Sequence, residues 1–198
     1  MITSYTTLKT EVADFSKRDD LTSKMDTFCQ LAEGMINRDL RCQEMEKRDA
    51  QSFDSTFYDL PTDYLELIAL EIEYGSRRNP LRQISPQILD KTYSTATGNP
   101  RAFTIQAGQI EFRPGIDASS PFTGELIYYA SVPTLTSNST NDVLDKWPMV
   151  YLSAMLIQVY IYLHDEEQTN VWLSAFNTQV RNANRTTGKY ILPKVSTV

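Results

Sequence analysis

The chain of 198 residues contains one histidine, His164, and beside it stand Asp165 and Glu166. An imidazole next to carboxylates can serve as a general base or supply one metal ligand. A metal site needs three or four such donors, and no set with ligand spacing accompanies it. The plainer reading is a polar residue at a helix junction. Cys29 could be paired with a histidine as a thiol dyad, but it lies beside an apolar helical stripe, where thiols are inert. Asp14, Asp19, Asp20 and Asp26 lack EF-hand spacing, and Glu71 and Glu73 share one strand face, where solvation accounts for them. No Gly-x-Ser-x-Gly elbow and no Gly-x-Gly phosphate loop occurs. The expectation is no enzyme and no cofactor.

The arginines carry more information. Arg77, Arg78, Arg82, Arg101 and Arg113 crowd the middle of the chain. Arg181 and Arg185 lie one turn apart on the last helical pattern. Two readings stand: ordinary surface charge near a helix C-terminus, or a subunit interface in which arginine meets carboxylates. The interface candidates are Arg77, Arg78, Arg101, Arg113, Arg181 and Arg185. Tyr128, Tyr129, Tyr151, Tyr160 and Tyr162 could stack on bases. Without a basic groove, packing and interface contacts explain them better.

The bulk numbers agree. The formal net charge is −6 and the pI near 4.9, a poor footprint for gripping phosphates or an anionic membrane. A composition 41% hydrophobic and 22% charged supplies a real core for one domain, or one domain with two lobes. Cys29 and Cys42 form no disulfide scaffold, which points to a reducing compartment. The first residues lack the basic and apolar segments of a signal peptide. The apolar run Met149–Leu163 is too short to span a bilayer and reads as a buried helix.

The elements that position these residues follow from periodicity. Leu8, Val12 and Phe15 mark a first helix. Asp20 is placed to cap a second, with the stripe Leu21, Met25, Phe28, Ala32, Met35, Ile36 and Leu40. Beyond Cys42 the period shortens. A strand pair is expected around 53–60, and Ile68, Leu70, Ile72 and Tyr74 alternate as a half-buried strand. Ser85-Pro86 opens a short helix. Phe103 and Ile105 lead into an Ala107-Gly108 turn, Ile110 and Phe112 return, and Leu126, Tyr128, Ala130 and Val132 share a strand face.

Asn141 can cap a short turn, and Pro148 disfavours helical geometry at Trp147 before a long apolar helix. Asp165 caps the last helix, with Gln168 placed for a capping box and a stripe of Trp172, Ala175, Phe176, Gln179, Val180 and Ala183. Gly188 is the expected stop. The class is therefore α+β. Helices in 5–41 and 141–187 form a bundle from both chain ends, and an antiparallel sheet lobe occupies 42–133. Residues 1–188 make one domain, and 189–198 an extended apolar arm.

The order of motifs resembles the head-to-tail adaptor proteins of short-tailed bacteriophages. It is carried by Leu60-Pro61-Thr62-Asp63-Tyr64-Leu65-Glu66-Leu67, Pro80-Leu81 with Ser85-Pro86, and Asn99-Pro100-Arg101-Ala102-Phe103-Thr104-Ile105. Gly108 and Ile110-Glu111-Phe112-Arg113-Pro114 follow, then Leu126-Ile127-Tyr128-Tyr129-Ala130-Ser131-Val132-Pro133-Thr134-Leu135. The series ends with Thr140-Asn141, Trp147-Pro148-Met149-Val150-Tyr151-Leu152, Asp165-Glu166 and Trp172, where Trp147 stands in place of the usual tyrosine. The resemblance covers 60–185 and brings no active site. It implies a virion protein made in the host cytoplasm, in a ring of typically twelve copies that joins the portal to the tail nozzle. Tail fibres are further candidate neighbours, and double-stranded DNA passes through; no membrane is involved. The arm, through Tyr190, Ile191, Leu192, Val195 and Val198, is expected to dock on the portal. The competing readings are a nucleic-acid module using the arginine-rich lobe and a small enzyme whose site forms on assembly.

Overall fold

A computed structural model describes the backbone of residues 1–75 and 77–191, and the side chains of these as far as Thr186. The chain divides into two compact units, a helical one from residues 1–45 and 131–198 and a β one from residues 46–130. The class is α+β, as the change of period indicates.

The helical unit is built on α5 (Pro148–Tyr162), whose side chains from Val150 to Ile157, and Val159, are all buried. A helix apolar on every side needs neighbours all round. They are α1 (Tyr5–Ser16), α2 (Met25–Asp39), α4 (Asp142–Lys146) and α6 (Glu166–Ile191), each packed on α5. Ser4 and Thr7 cap α1 reciprocally, the Thr7 N–H donating to Ser4 Oγ at 3.2 Å and the Ser4 N–H to Thr7 Oγ1 at 3.0 Å. Asn141 caps α4 as expected, its Oδ1 accepting from the Leu144 N–H at 2.8 Å.

Asp20 does not cap α2. Both its carboxylate oxygens are taken by the Arg18 guanidinium at 2.7 Å, and a 3-10 turn over Thr22–Lys24 moves the start of α2 to Met25. At the other end Gly188 does not stop α6, which continues to Ile191. Gly costs about 1 kcal/mol relative to Ala inside a helix, too little to end one that is held elsewhere. Tyr190 and Ile191 thus belong to α6; Leu192, Val195 and Val198 lie outside the described residues.

The β unit stacks two four-stranded sheets. The first, in the order β1-β8-β3-β4, comprises β1 (Glu46–Phe53), β8 (Phe122–Ala130), β3 (Tyr64–Tyr74) and β4 (Arg77–Pro80), all antiparallel. The second, β2-β7-β6-β5, comprises β2 (Phe57–Asp59), β7 (Gln109–Arg113), β6 (Ala102–Gln106) and β5 (Arg82–Gln83). Here β5 runs parallel to β6. The strand pair expected around 53–60 is therefore not a pair, since β1 and β2 belong to different sheets. The β6–β7 hairpin has the expected register, Ile105 opposite Ile110 and Phe103 opposite Phe112. Ala107 and Gly108 turn it with φ of 50° and 79°, the left-handed pair a two-residue hairpin requires.

The core of this unit gathers Phe53, Leu70, Ile72, Leu126 and Tyr128 from the first sheet and Phe103, Ile110 and Phe112 from the second. Register shifts between Tyr64 and Glu66 and between Leu67 and Ala69 interrupt β3. An irregularity of this kind inserts a residue and switches the face. Leu67, not Ile68, packs on the core in consequence. A short helix, α3 (Pro86–Thr92), opens with its proline in the first turn and buries Leu89.

Cys29 and Cys42 are free and buried. Burial first, and then the neighbouring Glu33 and Glu44 respectively, push both thiols up to about 12. At pH 8 the thiolate is then scarce, and a disulfide reagent should label the native protein at least ~1,000-fold more slowly than a free cysteine. Both thiols should react at once in denaturant. Fast labelling without denaturant would show that these helices open readily.

Candidate functional site

His164 sits at the α5–α6 corner with φ of 57°. The His164 N–H donates to the Ile161 carbonyl at 3.1 Å and the Asp165 N–H to the Tyr160 carbonyl at 3.0 Å. That paired pattern closes a helix with one left-handed residue, a conformation histidine adopts more readily than bulkier residues. Asp165 Oδ1 then accepts from the Gln168 N–H at 3.0 Å and caps α6. The histidine and its aspartate thus serve one turn. Among the described residues no group of three His, Cys, Asp or Glu could hold a metal. The Cys29 thiol faces Glu33 at 3.6 Å.

Glu73, one of the strand carboxylates, is an ion-pair partner. Arg78 Nε donates to it at 3.2 Å, while Arg78 Nη1 donates to Glu125 at 2.5 Å. Arg48 also reaches Glu125 at 3.4 Å. Arg113 donates to Glu111 and stands 3.9 Å from Asp90. Its Nε is buried with no partner among the described residues. Two of the six candidate arginines, Arg78 and Arg113, are therefore engaged within their own sheets. Arg77, Arg101, Arg181 and Arg185 are exposed, with no carboxylate in ion-pair range among the described residues.

Apolar side chains are exposed near the end of α5 and in the first turns of α6. Ile161, Tyr162 and Val171 are about half exposed, and Leu173 more than a third. A groove of about 410 Å³ at this corner is lined by Tyr160, Ile161, His164, Asp165, Glu166 and Asn170 among others. Single exposed apolar residues are ordinary, but a group beside unpaired charge is the composition of a contact surface.

One buried polar cluster has no counterpart in the sequence reading. Glu33, on α2, is only 6% exposed. Its Oε1 accepts from the Leu135 N–H at 2.7 Å and its Oε2 from Thr134 Oγ1 at 2.7 Å. One turn on, Asn37 Oδ1 accepts from the Val132 N–H at 2.9 Å. Asn141 donates to the Pro133 carbonyl at 2.8 Å and to Tyr151 Oη at 2.7 Å. Together they satisfy the backbone of an irregular segment that would otherwise bury unpaired groups. The available signal was Glu33 and Asn37 four apart, directly beside the apolar stripe.

No helix among the described residues is long and apolar enough to cross a membrane. A search of curated proteins returns no match. The family model of the SU10 adaptor protein matches residues 3–193, nearly the whole chain and both units. On that match over both its helical ends and its double-sheet insert, the chain belongs to the SU10 adaptor protein family, a family of phage structural adaptors.

Proposed function

We propose that this protein forms a ring at the head–tail junction of a short-tailed phage, joining the portal to the tail and leaving a passage for DNA. The observation that carries the reading is the adaptor-family match over residues 3–193. Two features support it. A net charge of −6 per copy, multiplied around a ring, repels a DNA backbone and discourages sticking within a channel. The apolar side chains exposed on α5 and α6, with Ile161 at the groove between them, offer a contact surface.

The carboxyl-terminal arm supplies the portal contact in this reading, with Leu192, Val195 and Val198 following Tyr190 and Ile191. The test mixes the purified chain with the portal protein of the same phage and images the product by electron microscopy. A ring of about twelve copies seated on the portal is expected, by analogy with closed cyclic assemblies. Removing residues 192–198 should weaken portal attachment by about 100-fold or more, since three buried aliphatic side chains are lost. A full-length chain that leaves portal rings bare would reject the reading. Undiminished attachment after the truncation would reject the arm alone.

A further inference from the structure

We propose that neighbouring copies meet through α6, the acidic start of one helix facing the basic end of the next. This rests on the ring reading above and assigns it a surface. Glu166 and Glu167 open α6 and are exposed, and Arg181 and Arg185 are exposed toward its other end. None of the four has an ion-pair partner among the described residues. The 18 residues from Glu167 to Arg185 make about five whole turns, so both side chains leave the helix in the same direction, about 27 Å apart. Between them the same stripe carries Asn170, Ser174 and Thr178, short and uncharged, with exposed Val171 and Leu173 to either side.

These charges cannot satisfy one another within the chain. No carboxylate stands three or four residues from either arginine, and no lysine or arginine stands so placed from either glutamate. A single helix holds the two ends apart. The helix dipole accounts for the glutamates, which lie in the first turn, but not for the arginines. Its influence fades within the last turn, and α6 continues to Ile191, six residues beyond Arg185.

A second copy supplies what each end lacks. The acidic start offers Glu166 and Glu167, and Glu166 lines the same groove as the exposed Ile161; arginine stems can cover such apolar surface while their heads pair with carboxylates. Because the two patches are different places on one surface, the contact is head-to-tail. Contacts of that kind propagate and close into rings. A side-by-side antiparallel pairing of two α6 helices would satisfy the same charges in a dimer, with nothing left to close a ring.

The experiment is charge exchange read by sedimentation velocity, on the full chain alone and with portal protein, at about 100 mM salt so that screening is moderate. The wild type is expected to assemble beyond a dimer. Arg181→Glu with Arg185→Glu should cut the assembled fraction at least tenfold, and so should Glu166→Lys with Glu167→Lys. An equal mixture of the two variants should recover assembly, as should all four substitutions in one chain. Recovery also shows that the variants fold. Assembly indifferent to either reversal would overturn the contact and leave the ring reading standing. Recovery only as dimers would overturn the head-to-tail arrangement. Loss of assembly in both variants with no recovery in the mixture, while circular dichroism shows native helix content, would overturn the pairing. A wild type that stays monomeric even with portal would instead defeat the ring reading itself.

Discussion

Glu33→Ala should lower the stability of the helical unit by about 3 kcal/mol, close to the upper range for a single substitution. The carboxylate accepts two charge-assisted bonds of 2.7 Å from the 134–135 segment and faces the Cys29 thiol. Removing it leaves the Leu135 N–H with no acceptor in a buried setting, and an orphaned buried donor costs more than the bond contributed. The segment it holds leads directly into α4 and the buried helix α5, so the loss should spread. Trp147 and Trp172 are the two tryptophans, both in the helical unit, and their fluorescence reports unfolding there. At an m-value of about 2 kcal/mol/M the urea midpoint should fall by about 1.5 M. Thr134→Val, which removes one donor and leaves no orphaned backbone group, should cost about 1 kcal/mol. Equal effects of the two substitutions would show that the backbone bond carries no special weight.

Gly124→Ala should do comparable damage to the β unit, about 3 kcal/mol from overpacking. Gly124 lies on β8, the strand flanked by β1 and β3, opposite Gln51 on one side and Ile72 on the other. A Cβ here would fall on the Glu71 carbonyl oxygen and 2.9 Å from Phe53 Cε2. The carbonyl is backbone within a paired strand and cannot swing aside, so β3 and β8 must separate. Hydrogen exchange of the β3 and β8 amides should quicken about 100-fold, as a loss of that size implies. Gly34→Ala is the opposing control. Gly34 is exposed on α2 with nothing within 4 Å of an added Cβ, and the substitution should stabilise by about 1 kcal/mol. Normal exchange in the Gly124→Ala variant would mean that the two strands tolerate a wider spacing than their pairing suggests.

The elements legible in advance were those whose own side chains repeat with the period of their structure. The apolar stripe of α2, the all-round apolar α5, the alternation in β6 and β7 and the caps at Asn141 and Asp165 all depend on local chemistry. Strand β1 was hidden for the opposite reason. It begins Glu46-Lys47-Arg48-Asp49 and lies at a sheet edge, and the positions it turns inward before Phe53 are Asp49 and Gln51, so no apolar alternation announces it. Eight successive pairings with β8 make it a strand, and pairing is not written in one segment alone. The irregularity in β3 escaped likewise, since exchanging Leu67 for Ile68 on the core face changes nothing in composition.

The arginines divide along the same line. Their number and positions were plain, and so were both readings of them. Which are engaged depended on β3, β4 and β8 bringing Glu73 and Glu125 to Arg78, and on β7 aligning Glu111 with Arg113. The length of α6 mattered equally. Gly188 reads as a stop by its own preference, but a preference of about 1 kcal/mol yields to the rest of a 26-residue helix. By itself the amino-acid order determined an acidic, α+β chain with helices at both ends, because period, charge and motif are properties of neighbouring residues. Tertiary structure alone decided which strands pair, how Glu33 is buried and which charges remain unsatisfied, because each requires groups far apart in the chain to meet.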